Sequence, residues 1–290
     1  MATLLTLSEH TSVGHRSLRH FLRNPAGISG LVILLLVVVM AVIAPWLYPG
    51  DPLDMVASPL MVPGADFAWP LGTDAMGRDL AAGIFHGARV SLLIGLGATL
   101  IGLAAGTVIG SLSGYYGGII DNILMRITTL FQTMPPFLLV IIILAISTPS
   151  VALIIFSIGI TTWPTIARLV RAEFRSLRES DFVLAAHCQG FSAWHIIFRE
   201  MLPNALPAII VTSSVMVASA ILMEAALSFL GLGDPNVVSW GFLIGSGREM
   251  LRTAWYLTAV PGIALVVTLL GLNLLGDALN DAFNPRLSEQ

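Results

Sequence analysis

Residues 180–203 read SDFVLAAHCQGFSAWHIIFREMLP, the one long polar and charged interval in a chain that is otherwise nearly continuous hydrocarbon. The first part, residues 181–188, fits a short helix capped by Ser180 or Asp181, and Gly190 then supplies a residue that tolerates a turn. A second short helix is expected to start at Ser192, with Trp194, Ile197 and Phe198 on one face and His195, Arg199 and Glu200 polar. Pro203, which has no N–H, is expected to close the segment. Two short helices about a glycine hinge make a docking knob. A loop of amphipathic helices lying on the lipid surface is the competing description.

What surrounds the knob is built for a bilayer. The chain has 290 residues, 56% of them hydrophobic and 11% charged, with a mean hydropathy of +0.87, the composition of an integral membrane protein. The net charge is −3 and no basic cluster argues for nucleic acid. All fourteen basic residues are arginine, which excludes a P-loop, a Schiff-base lysine and a pyridoxal phosphate site, since each needs the lysine amine. Cys188 is the only cysteine, so no intramolecular disulfide can form, a cysteine metal cluster has no footing, and the residue reads as a small, semi-buried part of the knob. The six histidines include no HExxH and no serine nucleophile elbow is present. The reading is of a chain that is not an enzyme, with no catalytic, cofactor-binding or metal-binding residue of its own.

Taken in order, residues 1–24 form an N-terminal interfacial segment with Arg16, Arg19 and Arg23 near the membrane and Leu18, Phe21 and Leu22 on one helical face; its charges do not suit a cleaved signal. Residues 25–50 carry no charge and are long enough to cross about 30 Å of hydrocarbon, with Trp46 and Tyr48 placed for an aromatic belt. A Pro-, Gly- and Asp-rich loop follows over residues 51–88, in which Gly72 and Gly77 are turn formers and Thr73 or Asp74 is expected to cap a helix starting near Met76. The core, residues 89–282, holds five further spans. The second span covers residues 91–114, where Gly102, Gly106 and Gly110 lie one turn apart for close helix contact. Residues 127–167 split at Ser147-Thr148-Pro149-Ser150 into a third and a fourth, with a kink expected at Pro135-Pro136. The fifth is residues 205–233. A soluble loop over residues 234–252 has Ser239-Trp240-Gly241 as an interface anchor, the sixth span is residues 253–276, and a tail of residues 283–290 ends the chain.

Glu224 lies inside the fifth span, and a carboxylate in hydrocarbon is costly. It is a candidate gate or structural group, either pairing near the outer mouth with Arg248 or Arg252 or touching substrate. With both termini inside, ten arginines fall on the inner side and four on the outer, the expected excess.

Several stretches resemble the permease subunits of ATP-binding-cassette importers. Ala185-Ala186, Gly190, Leu202 and Pro203 match the E-A-A-x3-G-x9-I-x-L-P signature, with Leu184 in place of its glutamate and Glu200 in place of its isoleucine. Leu71-Gly72-Thr73-Asp74 with Gly77-Arg78-Asp79, the GYYGG of residues 114–118, the EAALSFLGLG of residues 224–233 and the NLLGDALNDAFNPRL tail resemble the C-type subunits of the peptide and nickel branch. The resemblance implies an all-α integral membrane protein of six transmembrane helices, the type I importer permease fold, in a bacterial inner membrane with cytoplasmic termini. Residues 180–203 would then be the coupling segment on a cytoplasmic ATPase, through Asp181, Ala185, Ala186, His187, Gly190, Phe191, Ser192, His195 and Pro203. The partners implied are a related B-type permease, two ATPase subunits that carry the ATP and magnesium, an extracytoplasmic substrate-binding protein and the lipid bilayer. The cargo class implied is a dipeptide, an oligopeptide, glutathione or a metal chelate. A secondary transporter or channel working without an ATPase is the rival, distinguished by midplane ion-binding groups and inverted repeats.

Overall fold

The computed structural model describes residues 24–283, all-helical apart from turns and two isolated bridges. The lead-in segment with Arg16, Arg19 and Arg23, and the tail residues Asn284, Pro285 and Arg286, lie outside the described residues.

Among the described residues nine α-helices follow in order: α1 (Pro25–Leu47), α2 (Leu80–Tyr116), α3 (Gly118–Thr133), α4 (Pro136–Ala145), α5 (Val151–Arg178), α6 (Asp181–Cys188), α7 (Ala193–Phe229), α8 (Trp240–Gly247) and α9 (Tyr256–Phe283), with a short 3-10 turn over Arg248–Met250. Five of them are long and apolar enough to cross a membrane, and a sixth span results if α3 and α4, bent by 76°, count as one. The bend sits at Pro135-Pro136, where two consecutive residues lack the N–H that an unbroken ladder needs. The break at residues 147–150 also falls where expected, with Ser150 Oγ capping α5 by accepting from Leu153 N at 3.3 Å.

α2 and α5 form the most extensively packed helix pair. A Cβ on Gly102 would lie 2.6 Å from Thr162 Oγ1, on Gly106 2.7 Å from the Trp163 carbonyl and on Gly110 2.5 Å from the Ala167 carbonyl. The small-residue stripe is a contact surface, because without a solvophobic drive between helices in lipid, close backbone approach is what holds them. α1 seats on α9 in the same way, with Gly30 opposite Gly271.

Several boundaries differ from expectation. α2 begins at Leu80 and its N-cap is Asp79, whose Oδ1 accepts from Ala81 N at 2.9 Å. Asp74 is engaged elsewhere: its Oδ1 accepts from Met76 N at 2.8 Å and Arg78 N at 2.9 Å, and Gly77 at φ +79° turns the chain away from a helix. The irregular loop therefore ends at Asp79, and burial pushes the Asp79 carboxyl up against the opposing pull of the α2 N–H groups. Residues 234–252 are no plain loop, since α8 inserts there between α2, α7 and α9. Trp240 is no interface anchor either: it is fully buried, and its Nε1 donates to the Ile84 carbonyl at 3.0 Å.

Gly110→Ala is expected to lower the unfolding temperature in detergent, since overpacking a contact costs about 1–3 kcal/mol. Gly262→Ala, whose methyl meets nothing within 4 Å, is expected to be neutral or stabilising by up to about 1 kcal/mol. Fluorescence-monitored melting of the two variants reads the difference.

Candidate functional site

The knob is built from the end of α5, α6 and the start of α7. Ser180 takes the N-cap position of α6, but its hydroxyl donates back to the Leu177 carbonyl at 2.5 Å rather than capping α6. The far end of α6 closes in a Schellman arrangement: Gly190 N donates to the His187 carbonyl at 3.0 Å and Phe191 N to the Ala186 carbonyl at 3.2 Å. This needs the left-handed backbone that Gly190 adopts at φ +79°. Ser192 Oγ then caps α7, accepting from His195 N at 3.4 Å.

A second short helix closed at Pro203 does not form. Residues Ile196–Met201 make a π-helical turn, Leu202 N donates to the Ile197 carbonyl, and α7 runs on without interruption to Phe229. The widened turn shifts the ladder just before Pro203, so the proline enters the first turn of the next α-helical stretch, where its missing N–H is tolerated. Asn204 Nδ2 donates to the Glu200 carbonyl at 2.6 Å and satisfies a group at this junction. The extra residue per turn also splits the expected face. Ile197 turns inward with Ile196 and Met201, while Trp194 and Phe198 stay exposed and stack on each other at 5.3 Å.

Of the nine interface residues expected from sequence, Asp181, Ala185, His187, Gly190, Phe191, Ser192 and Pro203 are exposed and His195 is half-buried, its ring 4.4 Å from Phe191. Ala186 is the exception. It is buried with Val183 against Ile166, Val170 and Phe174 of α5, so it seats the knob rather than facing a partner. Cys188, expected to be semi-buried, is exposed. Phe182, Leu184, Trp194 and Phe198 join Phe191 on the outer surface; the sequence put Trp194 and Phe198 on one face of the knob but named none of the four as partner-facing, although apolar residues within the longest charged interval were the available signal.

The knob is fastened from behind. Asp121 near the start of α3 accepts from Arg171 Nε at 2.5 Å and Nη2 at 2.6 Å, a bidentate pair between α3 and α5, and also from Ser113 Oγ of α2. Charge-assisted forked bonds of this type fix geometry as well as adding energy. Tyr115 stacks on His187 of α6 at 6.0 Å.

Glu224 lies near the other end of α7, 1% exposed. It pairs with neither Arg248 nor Arg252. Its Oε1 accepts from Ser228 Oγ and Ser239 Oγ, both at 2.7 Å, and Ser91 Oγ approaches Oε2 at 3.5 Å while accepting from Trp240 N. Arg248 instead donates to the Phe229 carbonyl at 3.0 Å. Glu224 is thus the common acceptor that ties α2, α7 and the start of α8 together. Among the described residues no group of His, Cys, Asp or Glu has the geometry to hold a metal ion.

The apolar spans, with a polar, aromatic-faced knob at one end, make the class an integral membrane helix bundle. The family model described as binding-protein-dependent transport system inner membrane component matches residues 106–289, and that of the N-terminal TM domain of oligopeptide transport permease C matches residues 12–63. The di/tripeptide transport system permease protein DppC of Pseudomonas aeruginosa is 36% identical over 273 residues, covering 92% of this chain and 90% of that one. The oligopeptide transport system permease protein OppC of Haemophilus influenzae is 36% identical over 284 residues, covering 96% and 90%. A chain of the inward-facing MetNI methionine ABC transporter shares the fold with a TM-score of 0.58 at 16% identity, over 70% of this chain and 97% of that one. The chain belongs to the family of inner membrane components of binding-protein-dependent transport systems. It is a multi-pass permease of the ATP-binding-cassette importer type.

Glu224→Leu would leave the Ser228 and Ser239 hydroxyls without their acceptor, at about 1–3 kcal/mol for each buried group, whereas Glu224→Gln keeps an acceptor oxygen in place. Melting in detergent is expected to show a large loss for the first and a small one for the second. Equal losses would show that the site holds charge rather than hydrogen bonds.

Proposed function

We propose that the chain forms half of the translocation pathway of an ATP-driven peptide importer and that residues 180–203 are its ATPase-coupling segment. The observation that carries the reading is the knob itself: exposed Phe182, Leu184, Phe191 and Trp194 project from a base that α5, α7 and the Asp121–Arg171 pair hold rigid. Exposed aromatic groups on a fixed base suit insertion into a groove on a partner, since such anchors contribute most of the energy of an interface.

In this reading the knob faces the cytoplasm and the loop over residues 51–79 faces outward. α2 alone separates the two by 37 residues, about 55 Å at 1.5 Å per residue. Both termini lie inside, and residues 89–282 form the transport core. A related B-type permease completes the pathway, and two ATPase subunits carry the ATP and magnesium, so this chain performs no hydrolysis. Peptide cargo is supported by the relatives named as dipeptide and oligopeptide permeases.

Asp181, Ala185, His187, Gly190, Phe191, Ser192 and His195 meet the ATPase, while Ala186 and Pro203 set the angle at which the knob is presented. ATP binding closes the ATPase pair and carries the knob with it. Because α6 and the π-turn share one apolar cluster with α5, that displacement passes to α5 and, through the glycine stripe, to α2. Nucleotide can switch the pathway only by binding one arrangement better than the other.

Trp194→Glu and Ala186→Phe are expected to abolish ATP-driven peptide uptake by the reconstituted complex and to leave membrane insertion unchanged. Trp194→Glu acts at the contact and Ala186→Phe by unseating the knob. Transport measured in proteoliposomes beside the yield of inserted protein checks this; full uptake in both variants would remove the coupling role.

A further inference from the structure

Arg126 and Arg168 stand at the two ends of the charge-free run over residues 127–167, yet each lies inside a helix, Arg126 in α3 and Arg168 in α5. On α3, Asn122, Arg126, Thr129 and Thr133 recur at steps of four, three and four residues, and all are exposed. That spacing places them on one face. Exposed Ile120, Ile123 and Ile127 occupy a different face of the same helix. On α5, Thr165 and Arg168 are exposed one turn apart. The two polar stripes meet where Arg168 Nη2 donates to Thr129 Oγ1 at 3.4 Å, while that hydroxyl donates to the Met125 carbonyl at 2.8 Å. Close by, Phe131 and Trp163 pack edge to face with ring centres 5.3 Å apart and join the two helices.

Lipid tails do not suit this face. Arg168 is seventeen residues from Val151 at the outer end of α5, about 26 Å and less than the roughly 30 Å of hydrocarbon. Helical side chains tilt toward the N-terminus, which for α5 is the outer end, so the guanidinium reaches back into the membrane rather than out to the inner surface. A charge at that depth faces protein or a water-filled cavity. Among the described residues neither Arg126 nor Arg168 has an acidic partner, whereas Arg171, one turn on, holds Asp121 through Nε and Nη2. The α3 stripe ends at the 76° break before α4, where Met134, Pro135 and Pro136 are exposed. Backbone interrupted at membrane depth and not buried in protein lines a cavity. Water is therefore what the stripe meets.

We propose that this stripe is a wall of the translocation pathway and that Arg168, held by Thr129, binds the carboxylate of the peptide on its way to the inner side. Arg126, lower on the same wall, is the next cation the carboxylate meets. The inference rests on the proposed importer reading, which supplies the peptide and its direction. A guanidinium is a planar fork that fits a carboxylate with two parallel hydrogen bonds, and Arg171 makes that arrangement on the same helix. Because the Thr129 proton is committed to the Met125 carbonyl, its oxygen accepts from Arg168. The guanidinium is thus held by one nitrogen and keeps its other donors for cargo. Every peptide with a free C-terminus carries this group, so the contact serves passage rather than choice of sequence.

The test uses the complete transporter in nanodiscs, in a Cys188→Ser background carrying Thr133→Cys, Thr165→Cys or Ile127→Cys. Labelling of this chain by two small impermeant thiosulfonates, one anionic and one cationic, is followed by mass spectrometry. Thr133→Cys and Thr165→Cys are expected to react, and Ile127→Cys is not. At Thr165→Cys the anionic reagent is expected to be favoured about tenfold, relative to the two rates with a free thiol, and adding Arg168→Gln to remove that preference. In proteoliposomes Arg168→Gln in the otherwise unaltered chain is expected to slow ATP-driven peptide uptake about tenfold, with Arg168→Lys intermediate. Unreactive cysteines at Thr133 and Thr165, the result if lipid or a second permease covers the face, would overturn the proposal. So would a reagent preference that survives Arg168→Gln, or full uptake by that variant. A wild type that takes up no peptide with ATP would remove the importer reading and the inference with it, whereas an active wild type with an unreactive stripe removes the inference alone.

Discussion

The close approach of α2 to α5 is the constraint on which the knob depends. Four glycines on one face of α2, from Gly102 through Gly106 and Gly110 to Gly114, let backbones meet where a methyl group would lie within 2.7 Å of a neighbouring atom. That contact sets where α2 ends and therefore where Tyr115 meets His187 and Ser113 meets Asp121. Asp121 can then clamp Arg171 with both oxygens. In lipid, where helices gain nothing by hiding apolar surface from one another, such packing and a few charge-assisted bonds are what can hold a bundle in register.

The same solvent explains how the irregular places are handled. Backbone groups freed by a proline or a shifted ladder find no water in hydrocarbon and need partners within the protein. At the junction of the knob and α7 the π-turn absorbs Pro203, and the Asn204 side chain takes the Glu200 carbonyl. At the opposite end Glu224 collects hydroxyls from three elements and so joins α8 to the bundle without an arginine. Each end is thus locally rigid. In the proposed coupling role, a displacement of the knob would pass into the packed helices rather than into local bending.

Much of this was legible from residue order alone. The presence of the apolar spans, the turn at Gly190, the bend at Pro135-Pro136, the break at residues 147–150 and the contact face of Gly102, Gly106 and Gly110 each rest on a local rule: apolar length, a missing N–H or a missing Cβ. What stayed hidden depends on distant partners. The helix cap was misplaced at Thr73 or Asp74, because their roles in holding the loop depend on contacts that residue order does not show, and the cap is Asp79. α8 shows no amphipathic period because neighbours surround it, so its eight residues read as loop. The serine partners of Glu224 include Ser91, 133 residues away. The π-turn leaves no trace in periodicity, and with it went the true placement of Trp194, Ile197 and Phe198. At the knob, residue types pointed to the right segment but did not separate Ala186, which packs inward, from the exposed residues around it.

Cys188 offers the most direct test of the central claim, because it is the only cysteine in the chain and stands exposed on α6. A membrane-impermeant maleimide applied to oriented vesicles reports both the side on which the knob lies and whether a partner covers it. The account predicts labelling in inside-out vesicles stripped of ATPase subunits, protection when those subunits are restored, and no labelling in right-side-out vesicles. Labelling from the outer face, or undiminished labelling in the assembled complex, would contradict it.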